Sequence, residues 1–129
     1  MEAVLTRRFE LPFPPSVNHY WRRVGERTLI SREGRRFRQR VHQLLSSIGV
    51  RPLDGRLAIH VEAWPPDRRR RDIDNIAKAL LDALEHAGAY RDDAQIDRLL
   101  IERRNVVAEG RTVVLIKEMP TDGTSPLPS

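Results

Sequence analysis

The chain contains no cysteine among its 129 residues, and aromatic side chains make up only 5% of it. Without cysteine the protein can form neither disulfides nor thiolate metal sites, so a metal ion would need oxygen or imidazole ligands. No apolar run approaches the roughly 20 residues that a helix needs to span a bilayer. The N-terminus shows no apolar signal segment, and no glycine-rich phosphate-binding motif is present. These absences predict a cytoplasmic protein without a membrane segment and without a nucleotide cofactor.

Positive charge is concentrated in the first half of the chain. Residues 1–71 contain 16 arginine or lysine residues against 7 acidic ones, whereas residues 72–129 contain 7 against 11. A basic half followed by an acidic one fits a protein that binds a polyanion and cuts it with the help of a cation. A solvated surface of mixed charge is the alternative interpretation.

Hydrophobic periodicity predicts one α+β domain in residues 1–119, with a small mixed β-sheet covered by two main helices in the order β-(β)-α-β-α-β-β. The helices are expected after the N-cap residue Ser31 to about residue 48, and over residues 73–87. Strands are expected at residues 4–11, 28–30, 57–64, 96–107 and 111–118. The last two strands are expected to form an antiparallel hairpin through Glu109 and Gly110. Residues 120–129 are expected to be a disordered tail.

The most informative segment is Asp-Arg-Arg-Arg-Arg-Asp-Ile-Asp-Asn-Ile-Ala-Lys, at residues 67–78. The four arginines, which would bind phosphates, run directly into Asp72 and Asp74, and Lys78 follows. Such a pattern is typical of a place where a phosphate backbone and a metal ion meet. Each acidic residue also has a structural alternative, because Asp72 stands at an N-cap position and Asp74 could form an ordinary i,i+4 ion pair with Lys78.

A third source of carboxylates follows the second helix, at Asp92 and Asp93. Three aspartates suit Mg²⁺, which prefers oxygen ligands, and such an ion would polarise a phosphate and activate a bound water. Lys78 would then offset the carboxylate charges or stabilise charge on phosphorus. A helix of about 15 residues is roughly 22 Å long. Asp93 therefore reaches Asp72 only if the intervening chain runs back, or if a partner subunit supplies it.

The first loop offers an aromatic pair in a basic setting, Tyr20 and Trp21. These rings would stack on an exposed base, or they would anchor the loop to the core, and the sequence leaves both interpretations open. The four histidines are scattered without metal-ligand spacing and are expected to be structural.

The long motif closely resembles the RusA family of Holliday junction resolvases. The likeness continues through Asp82-Ala83-Leu84, Ala87-Gly88 and Asp92-Asp93-Ala94-Gln95. Upstream it includes Leu11-Pro12-x-Pro14-Pro15-Ser16-x-Asn18-x-Tyr20-x-Arg22 and Ser31-x-Glu33-Gly34. It covers nearly the whole chain before residue 120, with departures at Val17, His19 and Trp21.

The resemblance implies a RusA-like fold and an endonuclease that binds four-way DNA junctions as a homodimer and makes paired symmetric nicks with Mg²⁺, or alternatively Mn²⁺. By position, Asp72, Asp74 and Asp93 match the family's catalytic, metal-binding aspartates, and Lys78 matches its catalytic lysine. DNA contacts are expected from Arg68, Arg69, Arg70, Arg71, Asn18, Tyr20 and Arg22. The rival functions are a junction-binding architectural protein that does not cut and a general metal-dependent phosphodiesterase.

Overall fold

The computed structural model describes residues 5–16 and 20–120. None of the helices in those two segments is long and apolar enough to cross a membrane. The predicted tail lies, apart from Pro120, outside the described residues. The elements, in chain order, are β1 (Thr6–Leu11), β2 (Trp21–Val24), β3 (Arg27–Ile30), α1 (Arg32–Ser47), β4 (Leu57–Trp64), α2 (Ile73–His86), a 3₁₀ turn (Asp93–Gln95), β5 (Ile96–Arg103) and β6 (Arg111–Glu118).

The main sheet is mixed and has the strand order β1-β6-β4-β5, while β2 and β3 form a separate two-stranded hairpin. β4 and β5 are parallel, and β6 is antiparallel to both β1 and β4. The α+β class and the mixed sheet are therefore confirmed.

The predicted hairpin between the last two strands is wrong, because β4 lies between them. β4 has a fully alternating burial pattern and is bonded on both edges, as expected of a central strand. The chain leaving β5 passes the end of β4, where Arg104 N donates to Ala63 O at 2.7 Å and Val107 N donates to Pro65 O at 2.9 Å. This link is long enough to cross one strand before β6 begins.

Both helices pack on one face of the sheet. α1 begins where Ser31 Oγ accepts a hydrogen bond from Gly34 N at 2.9 Å, which confirms the predicted N-cap. The buried helix residues recur at helical spacing. They are Phe37, Val41 and Leu45 on α1 and Ile76, Ala79, Leu80, Ala83 and Leu84 on α2. Two apolar residues at helix ends, Ile48 after α1 and Ile73 at the start of α2, are by contrast 64% and 41% exposed.

Gly34 in the first turn of α1 allows the loop before β2 to approach the helix closely. A Cβ at this position would come 2.3 Å from the carbonyl oxygen of Tyr20. That oxygen is held in place, because it accepts a hydrogen bond from Ser31 N at 2.8 Å. A side chain at residue 34 would therefore push the two segments apart.

We expect Gly34→Ala to lower the free energy of unfolding by about 1–3 kcal/mol, as overpacking does, although alanine is the better helix former. Urea denaturation would measure the change. Gln39→Ala, at an exposed position of the same helix, is the control and should stay within about 0.5 kcal/mol of the parent. A Gly34→Ala variant more stable than the parent would contradict the close approach.

Candidate nucleic-acid interface and metal site

The four consecutive arginines occupy the arginine loop (residues 65–71) between β4 and α2, and they differ in placement. Arg68, Arg69 and Arg70 are exposed, whereas the side chain of Arg71 is only 16% exposed. Arg71 Nη1 lies 2.9 Å from Asp67 Oδ1, and its guanidinium stands 5.3 Å from the ring centroid of Phe13. Its hydrogen bond holds the pKa of the Asp67 carboxyl below the usual value. Arg71 therefore stabilises the loop through its contacts with Asp67 and Phe13, whereas the other three arginines face solvent.

The end of β5 adds basic residues to this surface. Because β4 and β5 are parallel, Arg103 pairs with Ala63 near the end of β4. Arg103, Arg104 and Asn105 line a groove of about 500 Å³ together with the arginine loop; we call it the basic groove. None of these three residues was predicted to bind DNA, because the Arg-Arg-Asn run falls inside the strand expected at residues 96–107. β5 instead ends at Arg103, and only the strand order places the run beside the arginine loop.

Asp72 occupies the N-cap position of α2 with extended backbone angles, but its side chain makes no capping hydrogen bond. The prediction that Asp72 caps the helix is therefore wrong in its chemistry, although the helix does begin there. Asp74 in the first turn and Lys78 one turn later are both exposed. In the part of the chain that the structure describes, neither aspartate nor Lys78 takes part in an ion pair within 4.0 Å. The carboxylate oxygens remain available for a metal.

Asp93 lies beyond the far end of α2, in the 3₁₀ turn before β5. Its carboxylate accepts a hydrogen bond from the Tyr90 hydroxyl at 3.0 Å, and its N–H donates to Glu85 Oε1 at 3.1 Å. Partial desolvation raises the pKa of Asp93, and so do the charges of Asp82 and Asp92, while the Tyr90 bond opposes them. A cation would be stabilised next to this carboxylate.

The two groups of candidate metal ligands stand at opposite ends of one structural unit. Asp72 follows the end of β4, and Asp93 precedes the start of β5, which runs parallel to β4. An eight-residue strand spans about 26 Å. Consistent with this separation, no three His, Asp or Glu residues within residues 5–16 and 20–120 are close enough together to hold a metal ion. One subunit brings Asp72 and Asp74 together in sequence and keeps Asp93 apart.

Tyr20 anchors the first loop instead of facing solvent. Its side chain is fully buried, and its hydroxyl donates to the Asp82 carboxylate, which Arg38 Nη2 also contacts at 2.7 Å. Burial, and then the bond to Asp82, raise the pKa of Tyr20 well above its usual value. A fully buried ring cannot stack on a base, so the anchoring alternative replaces the predicted DNA contact of Tyr20. Arg22 is exposed on β2, while Asn18 lies outside the described residues.

Comparison with known proteins identifies the family of this chain. Residues 12–117 match the family model described as endodeoxyribonuclease RusA. The chain belongs to the RusA family. The predicted resemblance is thereby confirmed, and the matched RusA segment includes the arginine loop, Asp72, Asp74 and Asp93.

Curated RusA relatives cover nearly the same length. The crossover junction endodeoxyribonuclease of Enterobacteria phage HK97 is 44% identical over 113 residues, which is 87% of this chain and 94% of the relative. The protein of the same name from Shigella sonnei is 42% identical over 118 residues, 88% of this chain and 96% of the relative. The one from Escherichia coli K12 is 41% identical over 118 residues. The names of these relatives describe nucleases of crossover junctions.

The different placements of Arg70 and Arg71 predict different defects. Arg70→Ala should weaken binding to a synthetic four-way junction and reduce the slope of log K against log salt by about 1, because one phosphate contact is lost. Its stability should stay within about 0.5 kcal/mol of the parent. Arg71→Ala should cost about 1–3 kcal/mol of stability, because its hydrogen bonds to the charged Asp67 are lost. Anisotropy titrations at several salt concentrations and urea denaturation would measure both, and identical profiles for the two variants would contradict the assignment.

Proposed function

We propose that the protein is a Mg²⁺-dependent, structure-selective endodeoxyribonuclease that binds four-way DNA junctions as a homodimer and resolves them by paired symmetric nicks. Family membership supports the reaction class. The exposed arginines of the arginine loop and the basic groove support binding to a phosphate backbone, because each cation that neutralises a phosphate adds affinity through counterion release.

The observation that carries the proposal is the pair of uncommitted carboxylates beside an exposed basic loop. Asp72 and Asp74 have no cationic partner among the described residues, and the Asp72 side chain makes no capping hydrogen bond. Carboxylates left without a counter-charge, next to three exposed arginines, suit a hard cation that meets a phosphate there. The donor chemistry thus fits Mg²⁺, with Mn²⁺ as the alternative ion.

Homodimerisation would complete the site. In a C₂ dimer the same surface of each subunit meets its copy. With the two-fold axis perpendicular to α2, two α2 helices side by side would run in opposite directions. The start of one α2, with Asp72 and Asp74, would then lie beside the end of the other, near Asp93. The wide separation within one subunit supports this composite arrangement over a site built by one chain. Two equivalent sites would serve two opposed DNA strands.

The roles of the protein's own residues follow from their positions. Asp72, Asp74 and the Asp93 of a second subunit would hold the ion. When bound, Mg²⁺ supplies charge to polarise the scissile phosphate and acidifies a water molecule. Lys78 lies one turn after Asp74 and would offset carboxylate repulsion and stabilise charge developing on the phosphate. The exposed arginines at residues 68–70 would hold flanking phosphates.

We expect Asp74→Asn to reduce nicking of a mobile synthetic junction in Mg²⁺ by at least about 100-fold, as loss of a charge-stabilising group does. Junction binding in EDTA should be retained. Glu26→Gln, in the exposed turn of the β2–β3 hairpin, is the control and should nick like the parent.

The same assay separates the rival functions. A parent protein that binds the junction tightly but never nicks it in Mg²⁺ or Mn²⁺ would be an architectural protein. Equal cleavage of the linear duplex and the junction would indicate a general phosphodiesterase. Mapping the nicks on each strand tests whether they are paired and symmetric.

Mixed dimers test the composite site. Asp74→Asn and Asp93→Asn subunits carrying different affinity tags would be co-expressed, and the dimers that carry both tags would be purified. If Asp93 acts across the interface, each mixed dimer has one intact site and one doubly substituted site, so single-strand nicking returns. If each chain builds its own site, both sites of the mixed dimer carry a substitution. The mixed dimer is then as inactive as the Asp74→Asn and Asp93→Asn homodimers.

A further inference from the structure

A second cavity borders the arginine loop, and its walls combine aromatic and apolar side chains with charged ones, which include the carboxylates of Glu33, Asp67, Asp72 and Glu109. It encloses about 680 Å³ and is reached from the surface beside Asp72. Phe13 and Pro15 of the first loop, Pro66 of the arginine loop, Phe37 of α1, and Asn75 and Ile76 of α2 line it. We call it the aromatic cavity. The volume is within the range of about 300–1,000 Å³ that is common for small-ligand sites.

We propose that the aromatic cavity receives a DNA base that is unstacked at the junction crossover, and that Asn75 reads the edge of that base. The inference rests on the proposed function and deepens it, because it assigns the choice of the cleaved phosphate to a defined pocket. Enzymes that do chemistry on a base take that base out of the stack, and the cost of unstacking is smallest where pairing and stacking are already disturbed. A junction crossover is such a place.

The cavity offers apolar surface for a base and arginine side chains for the phosphates of a nucleotide. The half-buried ring of Phe13 offers an aromatic surface on which a base can stack, and aromatic surfaces bind the faces of bases. The nearly buried Phe37 and Ile76 form the apolar floor of the cavity. The rim carries Arg69 and Arg70, which would meet the phosphates on either side of a captured base. A free phosphate would make no contact with the apolar floor, and an apolar peptide would leave the arginines of the rim without a partner.

Asn75 is placed to distinguish one base from another. It is the third residue of α2, is half-buried, and lines the cavity. Across the described segments its amide makes no hydrogen bond recorded between side chains or to the backbone. An amide offers both donors and an acceptor, so it can bond to the polar edge of a base.

The position of Asn75 links base identity to the metal site. Asn75 stands three residues after Asp72 on the same rigid helix end, with Asp74 between them. A base held by Asn75 would therefore fix the adjacent phosphate relative to the two carboxylates. Positioning of this kind contributes strongly to rate, because small displacements from the productive geometry are costly. Cleavage preference would then follow from binding in the cavity.

Base capture can be measured without catalysis. Junctions carrying 2-aminopurine at successive crossover positions would be bound in EDTA, where its fluorescence rises when the base leaves the stack. We expect a rise at one crossover position with the parent protein. Glu33→Trp, at an exposed residue that lines the cavity, should fill the space and abolish the rise while junction binding persists. Glu33→Gln removes the same charge without filling the cavity and should retain the rise.

The reading role of Asn75 has its own measurement. Four junctions that differ only in the base at the responsive position would be compared for affinity in EDTA. The parent should prefer one base by roughly tenfold or more, and Asn75→Ala should reduce the preference to within about twofold. An unchanged preference would overturn the role of Asn75.

The outcomes separate this inference from the proposed function. If the parent neither binds nor nicks four-way junctions, the proposed function itself fails. If it binds and nicks them but no position brightens, or if Glu33→Trp brightens as the parent does, base capture in the aromatic cavity is wrong and the nuclease proposal stands.

Discussion

The parallel pairing of β4 with β5 is the constraint on which the rest of the molecule depends. A parallel pair needs a connection that returns the chain to the starting edge, and α2 is that connection. Its 14 residues span about 21 Å, close to the length of the strands it covers. One consequence is that residues flanking the two ends of α2 are separated by nearly the length of the domain. Carboxylates placed at both ends cannot share an ion within one chain, which is why the proposed metal site takes Asp93 from a second subunit.

The same pairing gathers the positive charge at one edge. The chain leaves β4 into the arginine loop and leaves β5 into Arg103 and Arg104, and the two exits are neighbours because the strands are parallel. The N-terminal end of α2, with its partial positive charge, lies at this edge too. A phosphate backbone arriving there would meet cations from two distant parts of the sequence. At the opposite end, Asp93 has Asp92 and Glu85 as acidic neighbours, while the nearby Arg56 and Arg91 pair with Asp97 and Asp54.

A cluster of Tyr20, Asp82 and Arg38 connects the segment before β2 to both helices. Asp82 lies on α2, Arg38 on α1, and Tyr20 just before β2, so one partly buried carboxylate joins three segments. Removing one partner of such a cluster leaves an uncompensated, partly buried charge, which is costly. The first loop is thereby held against α1 and α2, and Phe13 and Pro15 stay in place as walls of the aromatic cavity. A contact far from the scissile phosphate thus shapes the surface that meets the DNA.

Much of this architecture could be predicted from the sequence, and the misses have a common cause. Ser31 and the apolar spacing of α1 are local signals, so the helix and its start were predicted correctly. The partner of β6 is not a local property. The fifth strand, predicted to continue to residue 107, ends at Arg103, and the resulting link of seven residues is long enough to cross one strand. For the same reason the sequence alone could not show that Arg103 and Arg104 lie beside the arginine loop in the basic groove. The mutual position of Asp72 and Asp93 belongs to this class as well.

The start of α2 shows how stability and chemistry are divided between neighbouring residues. A capping side chain typically contributes about 1 kcal/mol, yet the Asp72 carboxylate leaves the helix uncapped. Five residues earlier, Asp67 accepts hydrogen bonds from Arg69 N at 2.9 Å and from the Arg71 guanidinium. This bracing fixes the approach of the chain to α2, and the burial of Ile76 holds the first turn against the core. Because Asp67 and Arg71 perform the structural task, Asp72 can keep its oxygens for a cation.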